Sequence, residues 1–207
     1  MTRPGMIYSI GIWFFVLAAI TAMYIWKKSH TPAVYVSPPV PMTPVQLKLD
    51  DFEFLERSGR RFRFDELKGE VWVASFFFSN CPGPCRLLNT QLAELQKQTA
   101  DLPVKVLSFS VDPANDTPER LQTYAAQFAA DADRWLFLTG SPSEVQRLAR
   151  EQFLVTAGTT GNDPVTHTER IVAVDAQGRM RGHFSVNTTA DIQDLVRQLK
   201  QLIEEKP

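Results

Sequence analysis

The stretch that most constrains this chain is residues 71–95, VWVASFFFSNCPGPCRLLNTQLAEL. Val71 to Phe78 is an unbroken run of apolar, β-branched and aromatic residues with one serine, the pattern of a strand covered on both faces. It stops at Ser79-Asn80, passes through Cys81-Pro82-Gly83-Pro84-Cys85, and continues with Leu87, Leu88, Leu92 and Leu95 at helical spacing. Pro84 suits the first turn of a helix, where a missing N–H costs nothing. The two cysteines of the chain therefore fall at a strand-to-helix junction. Cys85 is placed in the first helical turn, where free N–H groups and the helix dipole favour thiolate over thiol. The three-residue insert is wide enough for both sulfurs to face outward toward one ligand. Such a pair can close a disulfide or hold a soft metal ion, whereas two unrelated packed thiols would not need this spacing.

The elements around that junction alternate. Gln46 to Glu56 and Arg61 to Phe64, flanking Ser58-Gly59, read as a β-hairpin, with Asp65 to Gly69 as a connecting turn. After the 71–78 strand comes a helix to about Gln98, then a second buried strand, Val104 to Val111. Thr117 caps a helix that opens on Pro118-Glu119 and runs to about Ala130. Trp135 to Leu138 is a short strand, and Ser141-Pro142 opens a helix to about Phe153. Residues 154–166 are rich in Gly and Thr and read as a loop. Glu169 to Asp175 and Met180 to Ser185 form a hairpin about Gln177-Gly178, and Asp191 to Ile203 closes the chain as an amphipathic helix. This order predicts an α/β, thioredoxin-like fold: a mixed sheet with flanking helices, its cysteines at the end of the first central strand.

The N-terminus is of another kind. Ile7 to Trp26 carries no charge over about the length needed to cross a bilayer, with Tyr8, Trp13, Tyr24 and Trp26 near its ends. It lacks a clear A-x-A cleavage site, so an uncleaved transmembrane helix is expected rather than a signal peptide. Residues 29–45 hold five prolines and read as an extended spacer. The expected organisation is a membrane anchor at 1–28, a proline-rich linker at 29–45 and a thioredoxin-like domain at 46–207. Arg3 before the span and Lys27-Lys28 after it leave the orientation undecided by charge. The net charge of −1 points to no nucleic-acid partner. The basic run Arg57, Arg60, Arg61 and Arg63 reads as a solvated hairpin tip.

His167, in Pro-Val-Thr-His-Thr-Glu-Arg, precedes the Ile171–Val174 strand. In a thioredoxin-like arrangement the loop before that strand lies beside the cysteine pair. Two thiolates and one imidazole suit Cu(I) and accept Cu(II), and zinc could use the same three with a water. Asp112 reads either as a loop or helix cap or as a carboxylate near the metal. His183, in the last hairpin, and His30, in the linker, read as incidental.

With those residues in place the chain resembles the SCO/SenC family of membrane-tethered copper proteins, which help assemble the CuA centre of cytochrome c oxidase. The resemblance rests on Phe76-Phe77-Phe78-Ser79-Asn80-Cys81-Pro82-Gly83-Pro84-Cys85, on Ser110-Val111-Asp112-Pro113-Ala114-Asn115-Asp116-Thr117-Pro118, on His167-Thr168 and on the anchor. It spans about residues 45–204. The resemblance implies that Cys81, Cys85 and His167 bind a copper ion, Cu(I) or Cu(II), with Asp112 beside them. It implies as partners the CuA-bearing oxidase subunit and other copper chaperones. The chain departs from the family's habit in its Pro-Gly-Pro insert, in Arg86 after the second cysteine and in Thr166 before the histidine. Arg86 is also placed to favour thiolate.

The function this implies is a metallochaperone delivering copper to the CuA centre. The alternative is a thiol-disulfide oxidoreductase in which Cys81 and Cys85 reduce the cysteines of the oxidase copper site or of another partner. A peroxiredoxin-type peroxidase is disfavoured, because Phe78-Ser79-Asn80 supplies no Pro or Thr before the nucleophile. The implied location is the bacterial inner membrane, single-pass, with the domain on the periplasmic face. The alternative is the mitochondrial inner membrane, facing the intermembrane space.

Overall fold

The computed structural model describes residues 4–29, 43–81, 83–154 and 170–205, and on the first helix the side chains of Trp13, Phe14 and residues 16–26. The chain forms two compact units, Met1–Val36 and Ser37–Pro207.

The first unit holds helix α1, Pro4–Ser29. Its 26 residues would extend about 39 Å at 1.5 Å per residue. The described side chains are outward and apolar: Trp13, Phe14, Leu17, Ile20, Met23 and Ile25 are all exposed. Among the described residues no helix is long and apolar enough to cross a membrane.

Among the described residues the second unit is built on an eight-stranded mixed sheet. Its strands are β1 (Val45–Gln46), β2 (Glu53–Glu56), β3 (Arg61–Arg63), β4 (Val71–Phe77), β5 (Val104–Ser110), β6 (Trp135–Thr139), β7 (Arg170–Val174) and β8 (Arg179–Ser185). Their spatial order is β1-β8-β7-β4-β5-β6-β2-β3. The central β4-β5-β6 pairs are parallel and the remainder antiparallel. The parallel pairs need crossover connections, supplied by helices α2 (Pro84–Gln98) and α3 (Pro118–Ala126). Helix α4 (Pro142–Arg147) and the closing helix α5 (Thr189–Glu204) complete the fold.

Alternation along the central strands divides the core in two. Val71, Val73 and Phe77 of β4 meet Leu88, Leu92 and Leu95 of α2, Leu121 and Tyr124 of α3, and Ile192, Leu195 and Leu199 of α5. Trp72, Ala74 and Phe76 face the other way, onto Phe54, Phe62, Phe64, Phe109, Leu148 and Phe153. Every residue of β4 is buried, which is why its sequence shows no alternation of polarity. The one polar step is matched. Ser75 lies opposite Ser108 on β5, their hydroxyls 2.9 Å apart, and the Trp135 indole donates to Ser108 at 2.9 Å.

Several elements differ from the sequence reading. The 46–56 segment is not one strand: β1 pairs with β8 while β2 joins β3 and β6, with a turn at Asp50-Asp51 between them. Phe64–Leu67 winds into a 3₁₀ turn that buries Phe64 and Leu67. Helix α3 ends at Ala126, short of Ala130. Helix α4 ends at Arg147 and passes into a π turn, Leu148–Gln152, which keeps Leu148 and Ala149 in the core. Arg57 is not solvated: it is 8% exposed, pairs with Glu56 at 3.5 Å, donates to the Ala130 carbonyl and lies over the Phe137 ring. Arg60, Arg61 and Arg63 are exposed and pair with Glu66 and Glu53, as a hairpin tip would. The 154–166 loop, apart from Leu154, lies outside the described residues, as do His30 and the rest of the linker up to residue 42.

Candidate metal and dithiol centre

The centre lies beyond the carboxyl ends of β4 and β5, where ligands collect on sheets with parallel strands. Val111 N–H donates to the Phe77 carbonyl at 2.8 Å, so the two strands are still joined where they end. The chain then turns at Ser79-Asn80, with Cys81 N–H donating to the Phe78 carbonyl at 3.2 Å. It enters α2 with Pro84 in the first turn, where Arg86 and Leu87 N–H groups both reach the Gly83 carbonyl.

The structure brings Cys81 and Cys85 together as free thiols. Cys85 N–H donates to the Cys81 sulfur at 3.3 Å. They are unequal. Cys81 is half-buried and Cys85 is only 2% exposed, packed into the same core cluster as Leu88 and Leu92. This corrects two expectations, that both sulfurs face outward and that Cys85 is poised as thiolate. Burial pushes the Cys85 thiol up to about 12; its hydrogen bond with Cys81 adds to this, and backbone contact at Phe78 partly opposes it. The helix N-terminus is real, but desolvation outweighs it at a fully enclosed sulfur. Arg86, expected to favour thiolate, is exposed and is not among the groups that act on Cys85.

Asp112 is half-buried and closes a turn: its side chain accepts from the Asn115 amide at 3.1 and 2.9 Å, and its carbonyl from Asn115 and Asp116 N–H. That is the capping reading of this residue. His167 lies outside the described residues. His183 is half-buried on β8, its pKa lowered by burial and then by the charge of Arg170. Among the described residues no group of three or more His, Cys, Asp or Glu could hold a metal ion. The two cysteines thus offer two soft sulfur donors side by side, a set that fits Cu(I) and needs further ligands for most other ions.

Sequence reasoning missed the groups packed around the pair. Asp116 is fully buried and accepts hydrogen bonds from Ser79 N–H at 3.1 Å and from the hydroxyls of Ser79 and Ser110. Arg120 lies 3.8 Å from it, donates through Nε to the Ser79 hydroxyl at 2.7 Å and bonds the Asn80 side chain. Tyr124 stacks on Phe77 and accepts from the Asn89 amide at 3.0 Å, its hydroxyl pushed up to about 12 by burial. One signal for Asp116 was present. Thr117 is the N-cap of α3, accepting from Arg120 N–H, so an acidic residue just before it needs other partners.

Comparison with known proteins fits this geometry. The SCO1/SenC family model matches residues 41–204. The SCO1 protein homolog of Bacillus subtilis is 32% identical over 161 residues, covering 76% of this chain and 83% of that protein. The structure of a SCO1/SenC family lipoprotein from Bacillus anthracis is 31% identical, covers 79% of this chain and 99% of that one, and superposes with a TM-score of 0.71. That of BsSco, a Sco family cytochrome c oxidase assembly protein with a disulfide switch, is 30% identical, covers 79% and 98%, and also gives 0.71. Copper-bound Sco structures from Bradyrhizobium japonicum and yeast, 24% and 22% identical with TM-scores of 0.62 and 0.63, share the fold. Over residues 41–204, with the cysteine junction of β4 and α2 at its centre, this chain belongs to the SCO1/SenC family, with the thioredoxin-like Sco fold.

Proposed function

We propose that this chain is a copper metallochaperone whose Cys81, Cys85 and His167 hold the ion and pass it to the CuA-bearing subunit during cytochrome c oxidase assembly. The observation that carries the reading is the cysteine pair at the strand-to-helix junction, with Cys85 N–H on the Cys81 sulfur, in a chain of a family with copper-bound members. Copper is cargo here. Taking it up releases the protons of both cysteines, and a target dithiol then replaces the two sulfurs one at a time while the cysteines regain their protons. The half-buried Cys81 is the sulfur a target reaches first, and the enclosed Cys85 keeps water from competing for the ion. Asp112 remains a candidate for orienting the site from its turn.

The inequality of the thiols also favours a second reading, dithiol reduction of a partner. Cys81 attacks the partner disulfide, and Cys85 resolves the mixed disulfide; the partner gains two electrons and two protons, and Cys81–Cys85 becomes a disulfide. The disulfide switch described for BsSco is consistent with such a pair.

In this reading residues 1–28 anchor the chain in the membrane, 29–45 space it, and the 46–207 domain lies on the periplasmic face of a bacterial inner membrane or in the mitochondrial intermembrane space. The charge-free Ile7–Trp26 segment supports the anchor. Protease added to intact spheroplasts should digest the domain, and full protection would place it inside.

His167 separates the two activities. In the full chain held in detergent, His167→Ala is expected to lower Cu(I) affinity by about tenfold to a hundredfold, while the Cys81–Cys85 disulfide still forms. Copper held at unchanged affinity would remove His167 from the ligand set.

A further inference from the structure

The turn that delivers Cys81 is held from outside its own segment. Ser79 and Asn80 stand two and one residues before Cys81, and both are tied to the 110–120 segment rather than to α2. At the centre is Asp116, a carboxylate with no exposure, whose oxygens accept from one backbone N–H and two hydroxyls. Three donors converging on a buried carboxylate fix it firmly, because leaving any of them unpaired is costly. Arg120 spans the outer side: its fork donates to two acceptors, the Ser79 hydroxyl and the Asn80 amide oxygen, with the Asp116 carboxylate 3.8 Å from Nε as an ion pair. Thr117 already caps α3, so helix formation does not require this arrangement.

We propose that Asp116, with Arg120 as its counter-ion, is the positioning residue of the dithiol: it fixes the Ser79-Asn80 turn so that the Cys81 sulfur stays beside Cys85, and thereby sets how readily the pair oxidises. The inference rests on the dithiol reading given above. Closing a disulfide from a held turn costs little further order, whereas a loose turn must be ordered as the bond forms. The positioned turn therefore favours the disulfide over the dithiol. Asparagine at 116 would turn one acceptor oxygen into a donor facing donors, and would remove the partner charge of Arg120.

The test equilibrates the full chain, in detergent, with glutathione buffers. One oxidised glutathione plus the two thiols gives the protein disulfide and two reduced glutathiones; the products are counted by mass after alkylation. Asp116→Asn is expected to shift the equilibrium about tenfold toward the dithiol, a rise of about 30 mV in potential. Arg120→Ala, on the half-exposed side and so tolerated by the fold, is expected to shift it about threefold. Arg120→Lys should remain shifted, since a single ammonium does not reproduce the fork. Asp191→Asn, at the capping box of α5, is the control and should lower the melting temperature without moving the equilibrium. If Asp116→Asn and Arg120→Ala behave like that control, their role is structural and the inference falls while the dithiol reading stands. A wild-type pair that never closes with oxidised glutathione overturns both.

Discussion

Copper affinity of the reduced chain is expected to rise about tenfold per pH unit between roughly pH 6 and pH 8 from Cys85 alone, and Cys85→Ser is expected to remove at least ~100-fold of it. The argument starts from burial. Cys85 is enclosed, and its thiol is pushed up to about 12, so throughout that range the empty site carries a protonated sulfur. Only thiolate binds the metal, so each copper bound must expel the Cys85 proton. The sign follows: lower proton concentration favours the bound state, and the gain from this group levels off only near pH 12. The other cysteine adds a dependence of its own, so the part due to Cys85 is the difference in slope between the parent chain and Cys85→Ser, about tenfold per pH unit. Competition against a Cu(I) chelator of known pH behaviour measures the slope. A flat profile would show that the enclosed sulfur is not displacing a proton and is therefore not a ligand. In Cys85→Ser the hydroxyl is hard and holds its proton, so loss of affinity should come with little change in fold, the substitution being small and nearly isosteric.

The same residue shows how far sequence alone reached. Strand β4 was legible because full burial on both faces leaves an apolar run with nothing to alternate against. The helix starts at Pro84, Thr117 and Ser141 were legible because those residues carry their own local chemistry, and Thr117 caps as expected; the last helix begins at Thr189, capped by Thr188, two residues before the expected Asp191. The state of Cys85 was misread because a local effect, the helix terminus, was weighed without the packing around it. The phase was nevertheless on view: Cys85, Leu88, Leu92 and Leu95 lie on one helical face, and all are buried, whereas Leu87 falls off that face and is 48% exposed. Arg57 and Asp116 were not legible as buried charges, because deciding partners come from distant segments: Phe137 and the Ala130 carbonyl for one, Ser79 for the other. Likewise, the split of the 46–56 segment follows from pairing of β1 with β8, more than 130 residues away, which no window of sequence contains.

The largest loss of stability is expected from Phe109→Ala, at ~3–5 kcal/mol, against a total of about 5–15 kcal/mol for a domain of this kind. Phe109 has no exposure and lies on β5 directly beside Phe76 of β4. Its ring stands 5.2 Å from that of Phe54, 5.5 Å from Phe76, 6.1 Å from Phe64 and 6.4 Å from Phe153. It thus joins the 52–64 segment to the central sheet and to the turn after α4. Truncation removes the burial of a whole ring and leaves a void whose walls are other rings held by the sheet, so collapse to fill it is limited. Urea titration should show a lower midpoint with an unchanged slope. Leu87→Ala, exposed on α2, should change stability by less than about 0.5 kcal/mol, and a comparable effect of the two would refute the account of the core. The cavity would open on the side of the sheet opposite Cys85, which belongs with Phe77, Leu88 and Tyr124. Where Phe109→Ala is still folded, at low temperature and without denaturant, its dithiol should therefore bind copper and close its disulfide as the parent chain does. Stability and the site would then separate, as two core layers divided by one sheet require.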